Sequence, residues 1–288
     1  MITYLLFRFF VFIFKITPFW LLYLQSDIVY FFMYHVFGYR KEVVWNNLKN
    51  SFPDKSDTEL KKITKGFYTN LSDITVESIK GFSMSKKTLL KRYKVLNAEI
   101  VDKYYEKNKS VIAVASHYAN WEWGVLCLSL QFKHKSVGLY KPLSNKYIDN
   151  YMRESRAAWG MNLLSIRDTS KYIEKENTEP SIYFMISDQS PSNVDRAHWV
   201  DFLNQDTACL HGVESYAKKF DLPVVYGHVS RVKRGYYEFT VSLIEPSPKE
   251  TADGEITKAY MKILEDNILL KPENWLWSHK RWKKKRSI

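Results

Sequence analysis

Residues 1–38 are almost continuously apolar and aromatic, with charge only at Arg8, Lys15 and Asp27. Arg8 and Lys15 are seven positions apart, which puts them within about 20° of each other on a helix. One basic stripe on an otherwise greasy helix predicts a segment lying in a membrane interface. Pro18 ends or kinks that first helix, and a second apolar stretch, residues 19–37, carries Asp27 and His35. No apolar run reaches the roughly 18 uninterrupted residues of a span, and no small-residue cleavage site follows. Residues 1–38 are therefore expected to be interfacial membrane-associating helices, with a single span and a buried core hairpin as the alternatives.

Residues 39–110 are predicted to be helical. Residues 50–56 form a turn, and Ser56-Asp57-Thr58-Glu59 has the spacing of a capping box that opens a helix. Leu60, Ile63, Phe67, Leu71, Ile74 and Ile79 then recur at roughly helical period. From residue 111 the pattern alternates. Residues 111–116, 136–140, 181–187, 222–229 and 236–244 read as strands, and the Glu122 segment, 145–159, 212–220 and 256–270 as helices. This predicts an α/β fold: a single domain, residues 39–288, with a central mixed sheet flanked by helices. In such sheets ligands bind beyond the carboxyl ends of the strands. His117 and Asp188 both fall at such ends, so groups from separate strands could share one crevice.

Composition narrows the class. The chain has 288 residues, 45% hydrophobic and 26% charged, as a globular protein should. Its two cysteines, Cys127 and Cys209, have no metal-like spacing and give no disulfide framework. A net charge of +12 with 16% aromatic residues suits either nucleic acid or an anionic membrane surface. The greasy start and the lack of a nucleic-acid motif favour the membrane. The stretch from Trp275 to Arg286 has three tryptophans among six basic residues, and is expected to adsorb to anionic headgroups.

The chemistry concentrates in Ser116-His117-Tyr118-Ala119-Asn120-Trp121-Glu122. An imidazole can take a proton near neutral pH, and a carboxylate can fix its tautomer and stabilise the imidazolium. Positions five apart lie about 140° apart on a helix. His117 must therefore sit on a loop or cap with Glu122 in the first helical turn. Chance alone supplies somewhat under one such pair in a chain with this many histidines and acids, and none of the other six histidines has an acid at the same spacing.

Taken in order, the motifs resemble those of the lipid A biosynthesis acyltransferases (the lauroyl/myristoyl transferases) of the lysophospholipid acyltransferase superfamily. The histidine-four residues-acid signature is met by His117 and Glu122 in the Asn-Trp-Glu form of that branch. Tyr140-Lys141-Pro142, Arg156 with Gly160, Asp188-Gln189 and the segment from Pro272 to Lys283 are similar to its later blocks. The superfamily's acid-Gly-Thr phosphate block is not recognisable, and Asn204 stands where Gly is expected. The resemblance implies acyl transfer from an acyl carrier protein thioester to a hydroxyl of a lipid A precursor. His117 would be the general base and Glu122 its orienting partner. Asn120, Lys141, Arg156, Asp188 and Gln189 would be substrate contacts, and no metal or cofactor is required. The implied location is the cytoplasmic face of the inner membrane. A lysophospholipid or aminolipid acceptor, and a membrane-adsorbed binding protein without catalysis, are the alternatives.

Overall fold

The computed structural model describes residues 1–175 and 179–286. Its helices are α1 (Ile2–Ile16), α2 (Phe19–Phe31), α3 (Lys41–Ser51), α4 (Asp57–Gly81), α5 (Lys86–Arg92), α6 (Glu99–Tyr105), α7 (Trp121–Cys127), α8 (Lys146–Ala157), α9 (Thr169–Lys175), α10 (Gly212–Phe220) and α11 (Glu255–Leu270). Its strands are β1 (Tyr93–Val95), β2 (Val111–Ala115), β3 (Lys135–Tyr140), β4 (Asn162–Ser165), β5 (Ser181–Ile186), β6 (His198–Phe202), β7 (Gln205–Cys209), β8 (Val224–Lys233) and β9 (Tyr236–Glu245).

Seven strands form one mixed sheet in the order β1-β9-β8-β2-β5-β3-β4, in which the β8–β9 pair is antiparallel and the other pairs parallel. β2 and β5 are buried along nearly their whole length, as expected of strands covered on both faces. The chain leaves β2 for β3 on one side and leaves β5 for β8 on the other. Connections that diverge in this way open a crevice between the two strand ends.

The long helix α4 starts where its sequence indicates. The Ser56 hydroxyl accepts from the Glu59 N–H and the Glu59 carboxylate accepts from the Ser56 N–H at 2.9 Å, closing a capping box. Three strand regions escaped the sequence pattern. β1 and β4 have three and four residues, too few to show a period. The β6–β7 hairpin turns through Leu203 and Asn204, both at positive φ (52° and 62°). Two such residues make the mirror-image turn that matches strand twist, and a leucine in it hides the usual Asn-Gly signal.

Pro18 separates α1 from α2 and caps the latter. Among the described residues no helix is long and apolar enough to cross a membrane. α2 turns Leu22, Tyr23 and Ser26 toward the domain, where Ser26 Oγ donates to Asp73 Oδ1 at 2.6 Å. It leaves Trp20, Leu24, Ile28 and Phe31 exposed. The expectation for the C-terminal tryptophans is corrected: Trp275 and Trp277 are buried and Trp282 is half-buried, its indole N–H donating to Thr207 Oγ1 at 2.7 Å. Arg281 is buried too, donating to the Ala208 carbonyl at 2.6 Å. Trp275, Trp277 and Arg281 are part of the core, while Lys280, Lys283, Lys285 and Arg286 stay exposed. The large rings leave water by packing on Phe202 and Phe52.

Candidate active site

Parallel register pairs Ala115 of β2 with Ile186 of β5. His117 and Asp188 each lie two residues beyond, at the mouth of the crevice, and meet there. The His117 N–H donates to Asp188 Oδ2 at 3.0 Å, and ring Nδ1 lies 2.6 Å from Asp188 Oδ1. A carboxylate can only accept, so Nδ1 carries the proton and Nε2 the lone pair. The Trp275 indole N–H donates to Asp188 Oδ2 at 2.8 Å, which completes the carboxylate's environment. Gln189 Nε2 stands 3.3 Å from His117 Nε2.

Burial alone would lower the His117 pKa. The Asp188 charge and hydrogen bond outweigh it, with a smaller contribution from Glu122, and the net shift is above the ordinary histidine value. Burial would raise Asp188. The imidazolium, the Trp275 indole and the backbone N–H instead bring it below the usual carboxylate range. Close by, burial pushes His279 down to about 4, so this second imidazole is neutral. Its Nε2 accepts from the Ser190 N–H at 3.1 Å and ties the C-terminal segment to the loop after β5.

The turn from His117 to Glu122 is irregular. Ala119 has φ +47°, a left-handed conformation that costs a residue with a Cβ about 1–2 kcal/mol. It is fixed by its neighbours: the Ala119 N–H donates to the Asn274 carbonyl, and the Leu276 N–H to the His117 carbonyl. Asn120 then caps α7, its Oδ1 accepting from the Trp123 N–H at 2.9 Å. Glu122 lies in the first turn of α7, as the spacing requires.

Two sequence assignments need correction. His117 is oriented by Asp188, whereas Glu122 takes a different partner: Arg156 NH2, at the end of α8, donates to Glu122 Oε2 at 2.8 Å. The Glu122 charge adds only the smaller contribution to the raised His117 pKa. Asn120, expected to touch substrate, is fully buried, with Nδ2 donating to Glu77 Oε2 at 2.6 Å; it is part of the scaffold. Nor is the start of α7 an open anion site, because the helix has seven residues and the Asn120 side chain already occupies the Trp123 N–H. Of the remaining sequence candidates, Asp188 and Gln189 join His117, and Arg156 joins Glu122. Lys141 lies just past β3, exposed, in a loop fixed by the Leu143 N–H donating to Asp149 Oδ1 at 2.8 Å.

Behind this centre lies an apolar cavity of about 170 Å³. His117, Trp121, Glu122 and Arg156 line its polar part, and Leu128, Met161, Leu163, Phe184, Val229 and Phe239 its apolar part. Two groups there, Arg156 Nε and the Tyr93 hydroxyl, are buried with no hydrogen bond among the described residues. Far from it in sequence, His198, Glu214 and Asp253 bring three donor atoms within 4.8 Å of one another. Glu214 already accepts from the Gly254 N–H and from both the N–H and hydroxyl of Thr257, and pairs with Lys218, so it works as a buried cap for α11 and not as a metal ligand.

A family model for bacterial lipid A biosynthesis acyltransferases matches residues 1–284. The chain belongs to that family. It is similar to the lipid A biosynthesis lauroyltransferase of Escherichia coli K12, at 21% identity over 246 residues covering 85% of this chain and 79% of the relative. It is also similar to the lipid A biosynthesis palmitoleoyltransferase of the same strain and to a lipid A biosynthesis acyltransferase of Shigella flexneri, each at 23% identity over 254 residues with the same coverage. The protein is an acyltransferase. What sequence reasoning missed in its site is the company His117 keeps: Asp188 as its hydrogen-bonded partner, and Trp275 and His279 as the wall behind it. The nearness of Asp188 to a strand end and the C-terminal block were the available signals.

Proposed function

We propose that this acyltransferase moves a fatty acyl group from an acyl carrier protein thioester to a hydroxyl of a lipid A precursor, at the cytoplasmic face of the inner membrane. The observation that carries the proposal is that His117 lines an apolar cavity while its Nδ1 is engaged by Asp188, which leaves the lone pair on Nε2.

The acceptor hydroxyl displaces the Gln189 amide from Nε2. Nε2 then takes the hydroxyl proton as the oxygen attacks the thioester carbonyl. Asp188 stabilises the imidazolium and keeps the ring from turning. The tetrahedral intermediate collapses with loss of the carrier thiolate, which takes the proton from His117, so the base is regenerated. The acceptor oxygen attacks directly, so no acyl-enzyme forms. The apolar cavity receives the acyl chain and excludes water. Glu122 adds negative charge near the imidazole and holds the Arg156 guanidinium in the cavity lining. That guanidinium and the exposed Lys141 are suited to phosphate on the acceptor or the donor.

Residues 1–38 form the membrane-associating part and residues 39–288 the catalytic domain. The exposed side chains of α1 and α2, among them Leu5, Phe9, Phe12, Trp20 and Leu24, form an apolar surface of the kind that enters an interface. The test is transfer by purified protein, followed by mass spectrometry of the acceptor. His117→Ala should lower turnover by about 100- to 10,000-fold while the protein stays folded. Near-normal turnover in that variant would end the general-base mechanism. Failure of the wild type to use the carrier thioester would end the donor assignment.

A further inference from the structure

We propose that Glu77, which lies outside the substrate cavity, is a positioning residue for acyl transfer, acting through Asn120 on the turn that carries His117 and Glu122. This rests on the general-base reading above.

Glu77 projects from α4 and is fully buried. Its Oε2 accepts from Asn120 Nδ2 at 2.6 Å and from the Tyr237 hydroxyl at 2.6 Å, and its Oε1 accepts from the Tyr23 hydroxyl of α2 at 2.8 Å. Its backbone carbonyl accepts from the Trp123 indole at 2.8 Å, so α4 grips both ends of the α7 cap. No ion pair among the described residues involves Glu77. The neighbouring arginines, Arg231 and Arg234, are committed to Asp73.

A buried carboxylate with only neutral donors is a poor way to stabilise a core, since apolar side chains of similar volume do as well or better. What it supplies is direction. A carboxylate has no hydrogen to donate, so the Asn120 amide must point its NH2 at Glu77 and therefore its oxygen at the Trp123 N–H. Were that amide to turn over, the α7 cap would be lost. The same turn holds Ala119 at φ +47°, and such backbone persists only where its surroundings over-determine it. Three anchors do so: the Asn274 carbonyl on Ala119, the Leu276 N–H on the His117 carbonyl, and Glu77 on Asn120. Releasing the last loosens the α7 side of the turn and shifts Glu122 relative to His117.

The test exchanges donor and acceptor. Asn120→Asp keeps a good cap but sets two acceptors face to face. Glu77→Gln keeps shape but removes the obligate acceptor. In the double variant, Glu77→Gln with Asn120→Asp, the amide introduced on α4 can donate to the carboxylate introduced at the α7 cap, which restores one donor opposite one acceptor. Burial pushes the Glu77 pKa up to about 7, against the hydrogen bond from Tyr237, so assays are run at about pH 8 with the carboxylate ionised. Displacement of about 1 Å at a reacting group costs on the order of 100-fold. Asn120→Asp should lose about that in kcat with little change in KM, Glu77→Gln about tenfold, and the double variant should recover at least tenfold over Asn120→Asp. Melting temperatures are recorded for each. Singles with wild-type kcat, or a double whose losses multiply, would overturn the proposal, as would lowered melting temperatures with kcat intact in the folded fraction. His117→Ala is assayed alongside. If it is active, the general-base reading falls and the positioning role with it. If it is inert while the exchange fails to rescue, the role of Glu77 alone falls.

Discussion

Asp188→Asn isolates the charge that His117 depends on. The substitution keeps the side-chain size, and the amide oxygen can still accept from the Trp275 indole and the His117 N–H that Asp188 now satisfies at 2.8 and 3.0 Å. What changes is the atom facing Nδ1. An NH2 group there cannot accept, so Nδ1 must become the acceptor and the ring proton moves to Nε2, the atom that has to receive the acceptor's proton. Loss of the charge-assisted bond, 2.6 Å in the wild type, accounts for about 1.5–3 kcal/mol, or about 10- to 150-fold in rate. Inversion of the tautomer raises the total toward about 10⁴-fold. The pH profile gives a second, independent readout. A general base must be neutral to act, and Asp188 raises the His117 pKa above the ordinary value, so the proposed mechanism puts the acid limb of kcat/KM above that value in the wild type. Removing the negative charge lowers the His117 pKa and moves the limb to lower pH. The assay is acyl transfer with carrier thioester at saturating acceptor, from about pH 5.5 to 9. Turnover within threefold of wild type with an unmoved acid limb would refute the partnership. Asp188→Ala is the control for packing: it leaves the buried indole N–H unsatisfied at a cost of about 1–3 kcal/mol, so it should lower stability where Asp188→Asn does not.

Replacing Leu24 and Ile28, both exposed on α2, by Ser should weaken sedimentation with anionic vesicles by tenfold or more, because each fully inserted side chain contributes about 1.5–3 kcal/mol; unchanged binding would take α2 out of the interface. Trp277→Ala should destabilise the purified protein by about 3–5 kcal/mol in denaturant titration, because the ring is buried; a variant of wild-type stability that leaves the membrane more readily would restore the C-terminal tryptophans as headgroup anchors.

Legibility in the sequence followed the range of the forces involved. The capping box at Ser56 and Glu59, the α10 boundaries at Gly212 and Phe220, and the apolar runs of β2 and β5 are local, and each could be read from its own residues. β1 could not, because its three residues form a strand only by pairing with β9, well over a hundred positions away. The C-terminal block misled for the same reason. Trp275-Leu276-Trp277 beside lysines has the composition of an interfacial anchor, yet the fold brings Phe52, Phe202 and Asp188 to meet those rings. Composition reports what a segment could bury, and topology decides against what.

The signature itself carries a finer version of this lesson. A histidine and an acid five positions apart invite the inference that one serves the other. Instead the chain divides the two duties. The residue that fixes the imidazole is 71 positions away, on the neighbouring strand end, where parallel register sets its distance more firmly than a turn of irregular backbone could. The nearby acid lies in the first helical turn and pairs with the buried Arg156. Close spacing in sequence therefore matters for a different reason: it puts the imidazole and an acid paired with a guanidinium in the lining of one cavity. With the base on a loop and the acid on a helix, the geometry depends on what holds the junction between them, where Ala119 is strained and Asn120 is tied to Glu77.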